Sequence, residues 1–195
     1  MGHKARRLAI LLGVPILATG LGAGLAQAVT TFHPGPAVGY SCAFPAVGTR
    51  PVTMSEGAAG PDSVSTGATF SLTGISGTVT FSAAVHSLLT SLGYDGVRGY
   101  GAIGITAVNA TPTFSGTGTI PAAIWSPGGP ATFGVTGASQ GFIAGTTGPI
   151  VFSLATQFSL ATEFHRTNGT WTAFGLTCTV RPAQERTFTP ALPIG

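Results

Sequence analysis

Residues 137–141, GASQG, fit the G-x-S-x-G pattern in which a serine held at a sharp strand-to-helix turn attacks an acyl carbon. Ser139 is followed along the chain by Glu163 and His165, an order that formally suits a nucleophile, carboxylate and base. That chemistry needs a strand before the serine and a helix after it. ATFGVT can be the strand, but FIAGTTGP has no helical period, and Glu163 and His165 share one parity of one extended segment. A plain turn is therefore expected at Ser139, with a serine hydrolase as the third-ranked function. GYGAIG, residues 99–104, matches the dinucleotide pattern G-x-G-x-x-G, which cradles a pyrophosphate only at a helix N-terminus; no helical pattern follows it, so a glycine-rich strand is expected.

Other reactive inventories are thinner still. Two cysteines without C-x-x-C spacing and the scattered His33, His86 and His165 do not make a metal-ligand set. Copper-dependent polysaccharide oxidation requires a histidine at the processed N-terminus, where Val29 is expected. Five scattered acids offer no suggestive pair for glycoside hydrolysis. The expectation is a protein with no catalytic residues, no metal and no cofactor.

Aromatic residues suit binding better. Trp125 lies in IPAAIWSPGGP, a segment stiffened by Pro121, Pro127 and Pro130, while Trp171 has the parity opposite to the core candidates Phe174 and Leu176. With Tyr100 they form a candidate ligand-facing set that could stack on a sugar ring or an apolar partner. The competing expectation is burial, the usual fate of large aromatics, with Trp171 covering a second layer or the helix.

The elements that position these residues begin after an export signal. MGHKARR is a basic n-region, LAILLGVPILATGLGAGL an apolar stretch broken by glycine and proline, and Ala26-Gln27-Ala28 a small-x-small cleavage site. Residues 1–28 are thus expected to be removed, leaving no membrane-spanning segment. Removal takes Lys4, Arg6 and Arg7 from the 8 basic residues and leaves five arginines against 5 acids, a formally neutral chain. Nucleic acid is not an expected partner, because phosphate binding needs a clustered basic face. The remaining 167 residues (195 minus 28) suit a single domain with a sizeable core.

In an oxidising exterior, Cys42 and Cys178 have one intrachain pairing available. Closing a loop that long constrains the unfolded chain by about 5 kcal/mol in the entropy model. Val38, Tyr40, Cys42 and Phe44 share one parity, as do Phe174, Leu176, Cys178 and Val180, so both cysteines should face the core.

FSLATQFSLATEF, residues 152–164, repeats after six residues and alternates strictly, with Phe152, Leu154, Phe158, Leu160 and Phe164 on one side. On a helix those phenylalanines would spiral round, so the segment is strand, and it is long enough to require a bend or a switch between sheets. Between Phe70/Leu72 and Val79/Phe81 the parity flips across Gly74 and Gly77, which predicts a bulge or turn. Asn168-Gly169 predicts a tight hairpin turn. One helix is predicted in SAAVHSLLTSLGYDG, with Val85, Leu88, Leu89 and Leu92 apolar, His86, Ser87, Thr90 and Ser91 on the other face, and Gly93 ending it. The fold expected is all-β, an immunoglobulin-like antiparallel β-sandwich with one short helix: linker 29–37, sandwich 38–184, tail 185–195.

YSCAFPAVG near the start and LTCTVRPAQ near the end resemble the paired signature of an uncharacterised domain common in proteins secreted by actinobacteria, Y-x-C-x-F-P-x-x-G with C-T-x-x-P-x-Q. The resemblance spans Tyr40 to Gln184. It implies a Cys42–Cys178 bridge, an extracellular or envelope location and an immunoglobulin-like sandwich, and it carries over no catalytic residue. The function expected is a secreted, non-enzymatic structural or adhesive domain of the bacterial cell envelope or exterior, with an envelope component or protein as partner. The alternative is a glycan- or apolar-ligand-binding module using Trp125, Trp171 and Tyr100.

Overall fold

The computed structural model of the protein describes residues 28–44, 47–102, 104–146 and 148–195. The expected export signal lies outside the described residues apart from Ala28, as does Pro45 of the signature. In chain order the elements are β1 (Val29–Pro34), β2 (Val38–Phe44), β3 (Gly48–Pro61), β4 (Thr69–Phe81), α1 (Ala83–Ser91), β5 (Tyr94–Ala102), β6 (Ile105–Val108), β7 (Ala110–Ser115), β8 (Gly118–Ile124), β9 (Ala131–Ala144), β10 (Val151–Leu154), β11 (Gln157–Arg166), β12 (Trp171–Val180) and β13 (Phe188–Thr189). The protein is all-β and sandwich-like, with antiparallel sheets and one short helix.

Period-two alternation builds these strands. Phe158, Leu160, Thr162 and Phe164 of β11 are buried and the intervening residues are not, and β12 does the same with Phe174, Leu176 and Cys178. The repeated FSLATQ segment divides as its length requires: Phe152 and Leu154 belong to β10, which pairs with β6 in a separate two-stranded sheet, and after Ala155-Thr156 the chain enters the main sheet as β11. The Asn168-Gly169 turn closes the β11–β12 hairpin, with Gly169 at φ 87°. The parity flip in β4 is a pair of register shifts against β9 between Leu72, Ile75 and Gly77, with Gly74 at φ 57°.

The main sheet runs β13-β1-β3-β2-β12-β11-β5-β8-β9-β4, with β7 on the side of β9. It also meets itself. Val52, Thr53 and Met54 of β3 pair with Tyr40, Gly39 and Val38 of β2 on one edge and with Phe81, Thr80 and Val79 of β4 on the other. Eight strands thereby form a continuous hydrogen-bonded circuit, narrowest at the single register pair Thr119–Thr136 between β8 and β9. Its interior is aromatic. Phe81 packs on Phe44, Trp125, Phe133 and Phe164 near α1, and Phe152 from the small sheet inserts among Phe32, Phe70 and Phe142.

Three placements differ from the sequence-based expectation. Residues 29–37, expected as a linker, contain β1, which pairs with β3 and β13; Phe32 and Pro34 are buried. Residues 185–195, expected as a tail, supply β13, bridge Ile150 through Leu192, and bury Phe188. The sandwich thus extends beyond 38–184 because burying Phe32 and Phe188 outweighs the irregularity of their proline-rich flanks. In α1, capped by Ser82 accepting from the Val85 N–H, the buried residues are Val85, His86 and Leu89, whereas Leu92 is exposed. His86 turns inward because its Nδ1 lies 2.9 Å from the Gly129 carbonyl oxygen and its ring meets the edge of Trp125.

Candidate functional site

The signature residues gather at one place, and what they build is a clasp. Cys42 and Cys178 stand directly opposite each other on the neighbouring strands β2 and β12, Cα atoms 4.0 Å apart, and form a buried disulfide. Two residues before Cys42, the Tyr40 hydroxyl donates to the Ala155 carbonyl at 2.9 Å, holding the point where β10 gives way to β11. Gln184 accepts from the Gly39 N–H at 2.7 Å while the Arg181 N–H donates to the Gly39 carbonyl at 2.9 Å. A side chain at Gly39 would meet the Gln184 carboxamide, so the glycine admits this contact. Each of these hydrogen bonds ties one part of the fold to another.

The hydrolase constellation is not assembled. Ser139 lies inside β9 rather than at a strand-to-helix turn, and β8 and β5 stand between it and β11. Glu163 and His165 do share the outer side of β11, but each has another partner: Glu163 Oε2 accepts from Arg98 Nε at 2.5 Å, and His165 Nδ1 is 2.5 Å from Asp95 Oδ1. GYGAIG falls at the end of β5 and beyond, with no helix following. Among the described residues there is no group of three His, Cys, Asp or Glu side chains able to hold a metal ion.

What the outer side of β8, β5, β11 and β12 does present is an open groove of about 530 Å³. Tyr100, 61% exposed, stands in it, and Arg98 and Glu163 form a wall, paired across the β5–β11 register. Pro121, Ala122 and Ala173 are among the other lining residues. Gly99, at φ 148°, lets β5 lie against β11 here, where any side chain would strike the Ala161 carbonyl. Trp171 lies alongside rather than in the groove: the Arg98 guanidinium is 4.3 Å from its ring centroid and His165 meets its edge. It is half-buried, and its contact with the guanidinium holds Arg98 in place.

The chain matches DUF6801, a family of unknown function, over residues 39–189. It belongs to that family. The match begins at Gly39 and ends beyond Gln184, so both halves of the clasp fall within the DUF6801 domain. No curated protein and no solved structure matches the chain. Among the described residues, no helix is long and apolar enough to cross a membrane.

Within this DUF6801 domain Trp125 is placed in the core, 7% exposed, against Phe81, Phe164 and His86, and the expectation of a ligand-facing Trp125 is corrected. The segment folds inward because the Trp125 backbone N–H donates to the Asp95 carbonyl at 2.7 Å, which turns the ring towards His86 of α1. Of the three candidate aromatics, then, only Tyr100 enters the groove, with Trp171 as support. Sequence reasoning did not find Arg98 as Glu163's partner, since their pairing is a cross-strand register between segments 65 residues apart.

The domain also holds an unusual interior carboxyl group. Glu56 of β3 points inward between Met54 and Ala58, 4% exposed, and neither carboxyl oxygen has a hydrogen-bond partner among the described residues. Burial pushes its pKa up to about 9. Tyr40 is likewise pushed up to about 12, by burial first and then by the Glu56 charge.

Proposed function

We propose that this protein is a secreted, non-enzymatic interaction domain of the bacterial cell envelope or exterior, acting through the outer face of β8, β5, β11 and β12. The observation that carries the reading is Tyr100, an aromatic ring left exposed in a groove whose polar wall, Arg98–Glu163, is already ordered by Trp171. Preordered side chains around an exposed ring are what recognition requires, because little side-chain entropy remains to be lost on binding. The buried Cys42–Cys178 disulfide and the basic-apolar-small pattern of residues 1–28 support export. An envelope component or an envelope protein is the partner proposed.

The test is fractionation of the producing cells followed by mass spectrometry. The expected result is a processed chain beginning at Val29, with Cys42 linked to Cys178, retained on envelope fragments and released by Tyr100→Ala. A cytoplasmic, unprocessed chain with free thiols, or retention indifferent to Tyr100, would sink the proposal.

A further inference from the structure

We infer that the groove at Tyr100 takes an uncharged sugar ring of an envelope or extracellular glycan, held by stacking on Tyr100 and by hydrogen bonds from adjacent hydroxyls to the Arg98–Glu163 pair. This rests on the proposed outer-face function and names its ligand.

Arg98 spends only Nε on Glu163, and Glu163 only Oε2 on Arg98; the Arg98 terminal nitrogens and Glu163 Oε1 make no protein hydrogen bond among the described residues. Their side chains are 43% and 42% exposed, so those atoms face the groove side rather than the core. A row of donors beside an acceptor is the complement of two neighbouring hydroxyls, each of which both donates and accepts. The Tyr100 ring supplies what the other side of a pyranose offers, a flat array of C–H bonds, and its hydroxyl has no protein partner among the described residues. Pro121, Ala122 and Ala173 are short enough to leave room for a flat ring.

The same atoms argue against the other ligand classes. Arg98 alone would draw a carboxylate or phosphate, but Glu163 at 2.5 Å cancels its charge and would repel an anion. The neighbouring His165 is itself beside Asp95. A purely apolar ligand would strip water from the Arg98–Glu163 pair and return no hydrogen bonds, which costs more than covering Tyr100 returns.

Affinity electrophoresis of the disulfide-linked protein through gels containing dextran, mannan, galactan or alginate tests this. At least one neutral polymer should retard the native protein and alginate should not; Tyr100→Ala and Arg98→Ala should each weaken retardation about tenfold. Glu163→Gln keeps an acceptor oxygen but unmasks the arginine, so it should acquire retardation by alginate, a change that a merely structural role for Glu163 would not produce. All three exposed positions leave the core untouched, and a thermal melt confirms that each variant is folded. Retardation by no neutral polymer, retardation by alginate in the native protein, or indifference to Tyr100→Ala overturns the assignment. Retention on envelope fragments through Tyr100 without any response to neutral polymers overturns the sugar alone, whereas loss of both overturns the outer-face function as well.

Discussion

Replacing Glu56 by glutamine should make the protein more stable, by an amount that grows with pH. In the folded state the carboxyl group is buried with neither oxygen hydrogen-bonded among the described residues, and burial raises its pKa from 4.5 to about 9. In the unfolded chain it titrates near 4.5, so between the two values the folded form keeps a proton that the unfolded form has lost. Folding is then linked to proton uptake, and stability falls as pH rises, by about 1.4 kcal/mol per pH unit for a single fully shifted group. Stability associated with this group is complete below about pH 4.5 and fully lost above about pH 9. From pH 5 to pH 8 the loss is about 4 kcal/mol, a drop in Tm on the order of 10 °C for a domain of this size. Glutamine matches the protonated side chain in shape and cannot ionise, so the two proteins should be close at pH 5 and separate steadily towards pH 8. Urea unfolding of both proteins across that range, with m-values compared to check two-state behaviour, measures the difference and cancels the histidines and other groups common to both. Parallel stability curves would refute the reasoning, because they would mean that the folded interior accepts the carboxylate as readily as water does.

The remaining predictions concern the clasp, the core and the groove floor. Cys42→Ala with Cys178→Ala should lower stability by about 5 kcal/mol on the entropy model for a loop of 136-residue separation, read by denaturant unfolding against the oxidised protein. Gln184→Ala leaves the Gly39 N–H without its acceptor and should cost about 1–2 kcal/mol, with faster amide exchange at Gly39. Trp125→Ala should cost about 3–5 kcal/mol through the cavity it opens beside Phe81 and Phe164, while glycan retardation of the folded fraction stays unchanged. Gly99→Ala should destabilise by about 2 kcal/mol or more, since its methyl group has only the β11 backbone to move into, and it should abolish retardation even under conditions where the protein remains folded.

Alternation carried most of the architecture from sequence to structure. Phe152 through Phe164 announced both the strand character and the change of sheet, because a run of that length on one parity outgrows a single twisted strand. The same rule turned Cys42 and Cys178 inward, and the glycine-flanked parity flip located the irregular stretch of β4. It failed where the pattern was short or overruled. β1 holds Phe32 and Pro34 among threonines and prolines, too brief a signal to read as a strand before its partners are known. His86 lay on the polar face by spacing, yet a carbonyl acceptor at Gly129 on a distant loop draws it inside. Trp125 was decided by a backbone hydrogen bond to Asp95, which no local pattern encodes. The groove was half visible: parity put Glu163 and His165 on one side of their strand and turned Trp171 outward on another, but only strand register brings these residues and Arg98 together. Glu56 carried a faint signal, an acid on the same parity as Val52 and Met54, which alternation alone assigns to the interior.

The placement of the disulfide has a mechanical consequence for a domain pulled by its ends. Tension drawn along the chain enters through the segment before Cys42 and leaves through the segment after Cys178, and the covalent bond passes that load directly from β2 to β12. Stretching can strip β1 and β13 from their edges, but the residues enclosed between the two sulfurs cannot lengthen. Tyr100, Arg98 and Glu163 all lie within that enclosed span, so the proposed sugar contact would be shielded from the pull that loads the ends.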